Sequence, residues 1–317
     1  MITLNKISKL IAILFILPGC KEFIEPSIHD RHVILRAPVD GTEGTAYAQT
    51  FWWEEVEDAL KYRLQVVSPD FTHTERLILD TLITGSKFSF TLDPGNYQWQ
   101  VRAENGSSQT HYTTSSFTIY ASSIKNQQVQ LLAPANNLVT NVNTATFKWL
   151  KLYGATKYRL EIDTNNFANE DALFFDQTIT ALEYPVSFNR DKLYQWRVMA
   201  MNDTASAKWS AVQQISYDST PPEAVVLSTP ATGSAVTAPV TLRWAVTPAA
   251  AKYQLHIYKS DQATPYSTAY PLTISGTVHS FAGTTGVLAE KVYWQVRAVD
   301  EAGNIGAFSE LRNFTVQ

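Results

Sequence analysis

Disulfides are excluded at once: the chain of 317 residues holds one cysteine, Cys20. No domain can be stapled, so each must stand on its own buried core. Long apolar runs are also missing. The run Leu10–Leu17 has eight residues, where a bilayer span needs about 20. Basic charge is scarce as well: 25 Lys and Arg face 29 Asp and Glu, a net charge of −4. That balance makes nucleic acid a poor partner. The six histidines (29, 32, 73, 111, 256, 279) show no paired metal-ligand spacing in sequence. There is no glycine-rich loop opening a helix and no Gly-x-Ser-x-Gly elbow. Nothing in the sequence calls for a cofactor or a metal.

What is present begins with the leader. Lys6 and Lys9 precede the short apolar run, and no acid occurs before Cys20. Basic start, short apolar core and a small residue before the cut make the secretory pattern. Leu17-Pro18-Gly19-Cys20 resembles the lipobox of bacterial lipoproteins. The resemblance implies a signal peptide over 1–19, lipid on Cys20, and anchoring to a membrane by acyl chains worth about 0.8 kcal/mol per buried CH₂. Losing 1–19 removes two lysines and no acid, so the net charge moves from −4 to −6. Residues 20–32 follow as a lipidated N-terminus and polar tether. The stretch 21–32 reaches roughly 40 Å when extended. Its Lys21-Glu22 start is either an ordinary solvated linker or similar to a surface-export signal of Bacteroidetes lipoproteins.

The rest of the chain repeats one unit three times. Trp53, Trp149 and Trp244 are each followed nine residues later by Tyr62, Tyr158 and Tyr253. Tyr97–Ala103, Tyr194–Ala200 and Tyr293–Ala298 form a second recurring block, its Trp99, Trp196 and Trp294 lying 46, 47 and 50 residues after the first Trp. Apolar and polar residues alternate in both blocks, the period of a half-buried strand. Each unit opens on an apolar run into a proline: Pro38, Pro134 and Pro230. Turn chemistry such as Asp93-Pro94-Gly95-Asn96 separates the runs. No stretch keeps a helical period. The expectation is an all-β chain with domains at 33–120, 129–217 and 222–317, each of seven short strands, the size of an immunoglobulin-like sandwich. Polar joints at 122–127 and 218–222 separate them. Small contacts between neighbours would leave bending as the default, with Pro221-Pro222 stiffening the second joint.

These units resemble fibronectin type III domains, in which a Trp sits on the second strand, a Tyr opens the third, and a Tyr-x-aromatic-x-Val-x-Ala run forms the sixth. The third copy departs, because Tyr293 adjoins Trp294 and Val292 takes the earlier slot. The resemblance implies three tandem β-sandwiches after a lipoprotein signal peptide. With the lipobox, it is similar to accessory outer-membrane lipoproteins, some of which hold glycans. It fixes fold and leaves function to the side chains.

Six tryptophans belong to the repeat and are expected in the cores. Trp52 occupies an outward slot held by Lys148 and Arg243 in the sister units. It either offers a platform to a sugar or protein partner or is shielded by a neighbour. Trp209 reads as a plug at the edge of a core. Phe71, in Asp70-Phe71-Thr72-His73, and Tyr266 and Tyr270, in a polar-aromatic stretch of the third unit, complete the candidate binding residues. Tyr supplies rigid contact area at low entropic cost. Asp163-Thr164-Asn165-Asn166 lacks the ligand count of a calcium site. Opposed catalytic carboxylates cannot be picked out. The functional expectation is a non-catalytic outer-membrane lipoprotein that binds or scaffolds, its partner a glycan or an outer-membrane protein. A purely structural spacer is the alternative.

Overall fold

The computed structural model describes residues 25–283 and 289–317. The expected signal peptide, Cys20 and the Lys21-Glu22 pair lie outside the described residues. The first repeat folds as β1 (Leu35–Ala37), β2 (Thr42–Gly44), β3 (Ala48–Trp53), β4 (Lys61–Ser68), β5 (Arg76–Ile83), β6 (Lys87–Thr91), β7 (Gly95–Glu104) and β8 (Thr113–Ile119). The second gives β9 (Leu131–Ala133), β10 (Leu138–Thr140), β11 (Thr144–Trp149), β12 (Lys157–Asp163), β13 (Phe175–Ile179), β14 (Glu183–Ser187), β15 (Lys192–Met201) and β16 (Gln213–Tyr217). The third gives β17 (Leu227–Thr229), β18 (Ser234–Val236), β19 (Val240–Trp244), β20 (Lys252–Tyr258), β21 (Leu272–Ile274), β22 (Val278–Phe281), β23 (Glu290–Val299) and β24 (Arg312–Val316).

Every repeat has a three-stranded and a five-stranded sheet. The orders are β1-β3-β6 with β2-β8-β7-β4-β5, β14-β11-β9 with β10-β16-β15-β12-β13, and β17-β19-β22 with β18-β24-β23-β20-β21. Where seven strands per repeat are expected, the described residues form eight. Pro38, Pro134 and Pro230 have no N–H to continue the first ladder. The chain leaves that sheet there and pairs on the other, where β10 runs parallel to β16 and β18 parallel to β24.

The alternation reads through to burial. Tyr62, Leu64 and Val66 are buried, as are Trp99, Val101 and Ala103, with the equivalents in the other repeats. All six repeat tryptophans are buried, and their indole N–H groups find no acceptor among the described residues. Burying about 150–250 Å² of ring at about 25 cal/mol per Å² contributes about 4–6 kcal/mol. That exceeds the roughly 1–3 kcal/mol cost of an unmade hydrogen bond, so ring area decides the choice of residue.

Two polar pins recur inside the sandwiches. The hydroxyls of Tyr62, Tyr158 and Tyr253 accept the N–H of Val56, Leu152 and Thr247 at 2.7, 3.0 and 3.0 Å. Thr110, Ser210 and Ser309 each accept a β7, β15 or β23 N–H at 3.0 Å and donate to the carbonyl one residue on. In the third repeat Val292 is buried, and Tyr293 turns outward beside Lys291, whose Nζ lies 5.3 Å from the ring. The Tyr194 hydroxyl, one repeat earlier, donates to the Arg190 carbonyl at 2.9 Å.

By internal contact the chain divides into two compact units. One comprises residues 25–44, 50–89 and 95–118, and the other 45–49, 90–94 and 119 onward. In the first unit the polar tether is corrected: from Glu25 it is a docked strap. Ile28 is fully buried and its N–H donates to Ser108 Oγ at 2.9 Å. Asn105 Nδ2 donates to the Pro26 carbonyl at 2.9 Å and Ser107 Oγ to the Glu25 carbonyl at 3.1 Å. Arg31 pairs with Asp58 at 2.9 Å. A lone apolar side chain with a waiting core pocket ordered a segment whose composition reads as solvated.

In the second unit the residues read as polar joints are also fastened. Gln127 is buried; its Oε1 accepts the Tyr47 N–H at 3.0 Å and its Nε2 donates to the Thr45 carbonyl at 2.8 Å. Between the second and third sandwiches, Asn304 Nδ2 donates to the Asp218 carbonyl at 2.9 Å. Asp191 accepts the Ser219 N–H and the hydroxyls of Ser219 and Thr220. A Cβ on Gly306 would meet the Pro222 carbonyl oxygen at 2.5 Å. These contacts tie down the joint that Pro221-Pro222 is expected to stiffen.

Candidate functional site

Tyr266 and Tyr270 lie on the segment linking β20 to β21, and local chemistry fixes its path. Asp261 Oδ1 accepts the N–H of Ala263 and Thr264 at 3.0 and 2.9 Å. These bonds and the Thr264 hydroxyl hold the Asp261 carboxyl down at about 2. Gln262 takes a left-handed φ of 63° in that turn, and Lys259 N–H closes it on the Thr264 carbonyl at 2.9 Å. The Tyr266 N–H then reaches the Ile257 carbonyl at 2.8 Å.

The two rings are half-buried against the third core. Tyr266 meets Phe281 edge-on at 4.8 Å between centroids, and its hydroxyl donates to Glu290 Oε2 at 2.7 Å. The Tyr270 hydroxyl lies 3.2 Å from His279 Nε2. Burial pushes the Tyr270 phenol up and the His279 imidazole down. Both rings are thus held by their edges. With Lys259, Pro265, Ser267 and Thr268 they line an open cavity of about 390 Å³. Sequence reasoning found the tyrosines because an aromatic stretch interrupts the strand pattern. It missed Lys259 and Pro265, which carry no such signal.

The other candidates do not join this cavity. Trp52 lies on β3, is 41% exposed, and is partly covered by Lys87, whose Nζ is 4.7 Å from the ring. Phe71 is half-buried in the turn after β4, where its N–H donates to Gln98 Oε1 at 3.0 Å. Asp70 builds that turn by accepting the N–H of Thr72 and His73 at 2.8 and 2.7 Å. Trp52 lies on the three-stranded sheet of the first sandwich and Phe71 in a turn of the five-stranded one, so they make no common platform. Two further cavities in the first unit, of about 270 and 320 Å³, have no Tyr, Trp or Phe in their linings.

Trp209 differs from the expected core plug. Ser210 is the residue aimed inward, as its bond to the Val198 N–H requires. Trp209 therefore falls on the outer face, 4.1 Å from the Arg197 guanidinium, with Phe167 also 4.1 Å from it. Arg197 and Arg159 both pair with Glu161, which is fully buried. Arg159 also grips Asp176 with two bonds of 2.8 Å; that pairing raises the Arg159 pKa and lowers that of Asp176. Tyr112 on Arg102 and Phe308 on Arg297 repeat the stacking at 4.9 and 4.7 Å. Arg197 also pairs with the exposed Glu170 at 3.2 Å, so two arginines meet three acids on this face and brace the sheet. Asp163 likewise serves its own loop, accepting the Phe167 N–H at 2.6 Å.

The paired three- and five-stranded sheets, repeated three times with the same Trp and Tyr pins, define a protein of tandem fibronectin type III-like β-sandwiches. No family model matches the sequence, and no curated protein matches it. Solved structures similar to the chain include the FN1–FN3 domains of chicken CNTN1, at 16% identity over 90% of this chain and 97% of that one, with a TM-score of 0.39. Fibronectin(III)-like modules of CbhA from Clostridium thermocellum are another, at 11% identity over 59% of this chain and 92% of that one, with a TM-score of 0.36.

Proposed function

We propose that the protein is a non-catalytic, lipid-anchored protein of the outer membrane that binds a glycan through its third sandwich. The observation that carries this reading is the open cavity lined by Tyr266 and Tyr270. Sugar rings present apolar faces and peripheral hydroxyls. Two tyrosines locked by their own edges supply the facing surface with little entropy left to lose. Lys259, Ser267 and Thr268 supply polar groups at its rim. Lipid on Cys20 would hold the chain at the membrane. With the strap docked from Glu25, residues 20–24 provide a stand-off of at most about 17 Å.

The test is titration of the intact chain with a panel of polysaccharides, followed by calorimetry and intrinsic fluorescence. Binding to at least one, lost in Tyr270→Ala and kept in Trp52→Ala, supports the reading. Binding that survives Tyr270→Ala moves the site elsewhere. A second reading, a structural spacer in an envelope complex, is favoured by the fastened joint at Asp218–Pro222 and the ion-paired face around Glu161. It predicts no response to any glycan and stable co-purification with an outer-membrane protein.

A further inference from the structure

We propose that His29 and His111 form a two-imidazole site for a divalent transition-metal ion of the zinc, nickel or copper type, which fastens the N-terminal strap to the first sandwich. The two residues are 82 positions apart in sequence, yet docking of the strap brings their exposed rings to 5.0 Å between centroids, inclined at 58°. Metal–nitrogen bonds of about 2.0–2.1 Å at a tetrahedral angle place two imidazoles sharing an ion about 5 Å apart.

Both backbones are fixed before any ion arrives. Ile28, beside His29, is buried and bonded to Ser108. The His111 carbonyl accepts the Thr110 hydroxyl, which is itself bonded to the Ala103 N–H. The ring nitrogens of His29 and His111 have no hydrogen-bond or ion-pair partner among the described residues; these two residues bond only through backbone atoms. His73, His256 and His279, by contrast, each have a ring nitrogen beside a hydroxyl. Free imidazole nitrogens select zinc, nickel or copper over the oxygen-loving calcium and magnesium. No third His, Cys, Asp or Glu joins the pair among the described residues. Water completes the coordination, which makes the site exchangeable and unlike a closed structural one. An ion held across the strap and the sandwich stabilises the docked arrangement by linkage.

The experiment titrates Cu²⁺ into the full chain and reads the copper by electron paramagnetic resonance, with Zn²⁺ followed by hydrogen exchange. The expected result is one Cu²⁺ per chain with two imidazole nitrogens coupled to it. Affinity falls about ten-fold or more in His29→Gln and in His111→Gln and is unchanged in His73→Gln. Zn²⁺ slows exchange of the amides of 25–32 in the parent and not in His111→Gln. Both rings are exposed, so the substitutions leave the core intact; metal-free exchange in β7 confirms this. Absence of bound copper, or equal affinity in the parent and both variants, overturns the proposal.

Discussion

Truncation of Ile28 to alanine tests the docked strap. Three buried carbons are lost from a side chain with no exposed surface. At about 0.8 kcal/mol per CH₂ the transfer loss alone is about 2.4 kcal/mol. The cavity left under a strap pinned by Ser108, Asn105 and Ser107 adds to this and brings the cost into the range of about 2–5 kcal/mol. A chain of several sandwiches does not unfold in one step, so a global midpoint is the wrong readout. Hydrogen exchange of the β7 amides, paired with β4 within the five-stranded sheet of the first sandwich, reports its opening free energy directly. The Ile28→Ala variant is expected to lose about 2–5 kcal/mol of protection there and to release the amides of 25–32. Ile34→Ala, at a side chain 51% exposed, serves as the control and stays within about 0.5 kcal/mol. A change in Ile28→Ala no larger than the control's would refute the docking and return 25–32 to a solvated tether.

Gly306→Ala is expected to cost about 1–3 kcal/mol, since its new carbon meets the Pro222 carbonyl at 2.5 Å and a backbone atom cannot step aside cheaply; faster exchange of the 218–220 amides is the readout, and an unperturbed joint contradicts it. Asp261 gives a pH signature. Its folded pKa of about 2 lies below the unfolded value of about 3.9, so its contribution to the turn is full above that unfolded value and is lost as the pH falls through about 2. An NMR titration of Asp261 and the Thr264 amide with a midpoint near 4 would contradict the bonding described.

The sandwiches were legible because alternation and a repeated Trp–Tyr spacing express the same burial three times. Tyr62, Leu64 and Val66 point inward for the reason their sequence period gives. The strap was not legible, because Ile28 is the one large aliphatic residue of 25–32, and a single such side chain has no period. Gln127 was equally silent: a buried amide is known only from the partners that satisfy it. Trp209 was placed in the wrong layer because the irregular approach to β16 shifts the phase, and the small Ser210 took the inward slot. At the candidate site, Tyr266 and Tyr270 stood out as aromatics outside a strand. Their union with Lys259 and Pro265 depends on the Asp261 turn, and the geometry of a turn cannot be read from alternation.

Chemical-shift mapping of the intact chain with a polysaccharide that binds it tests the account most directly. Perturbations confined to Lys259 and Pro265–Tyr270 are the predicted result. Perturbations centred on Trp52 or spread along the sheet edges, with those residues unmoved, would contradict it.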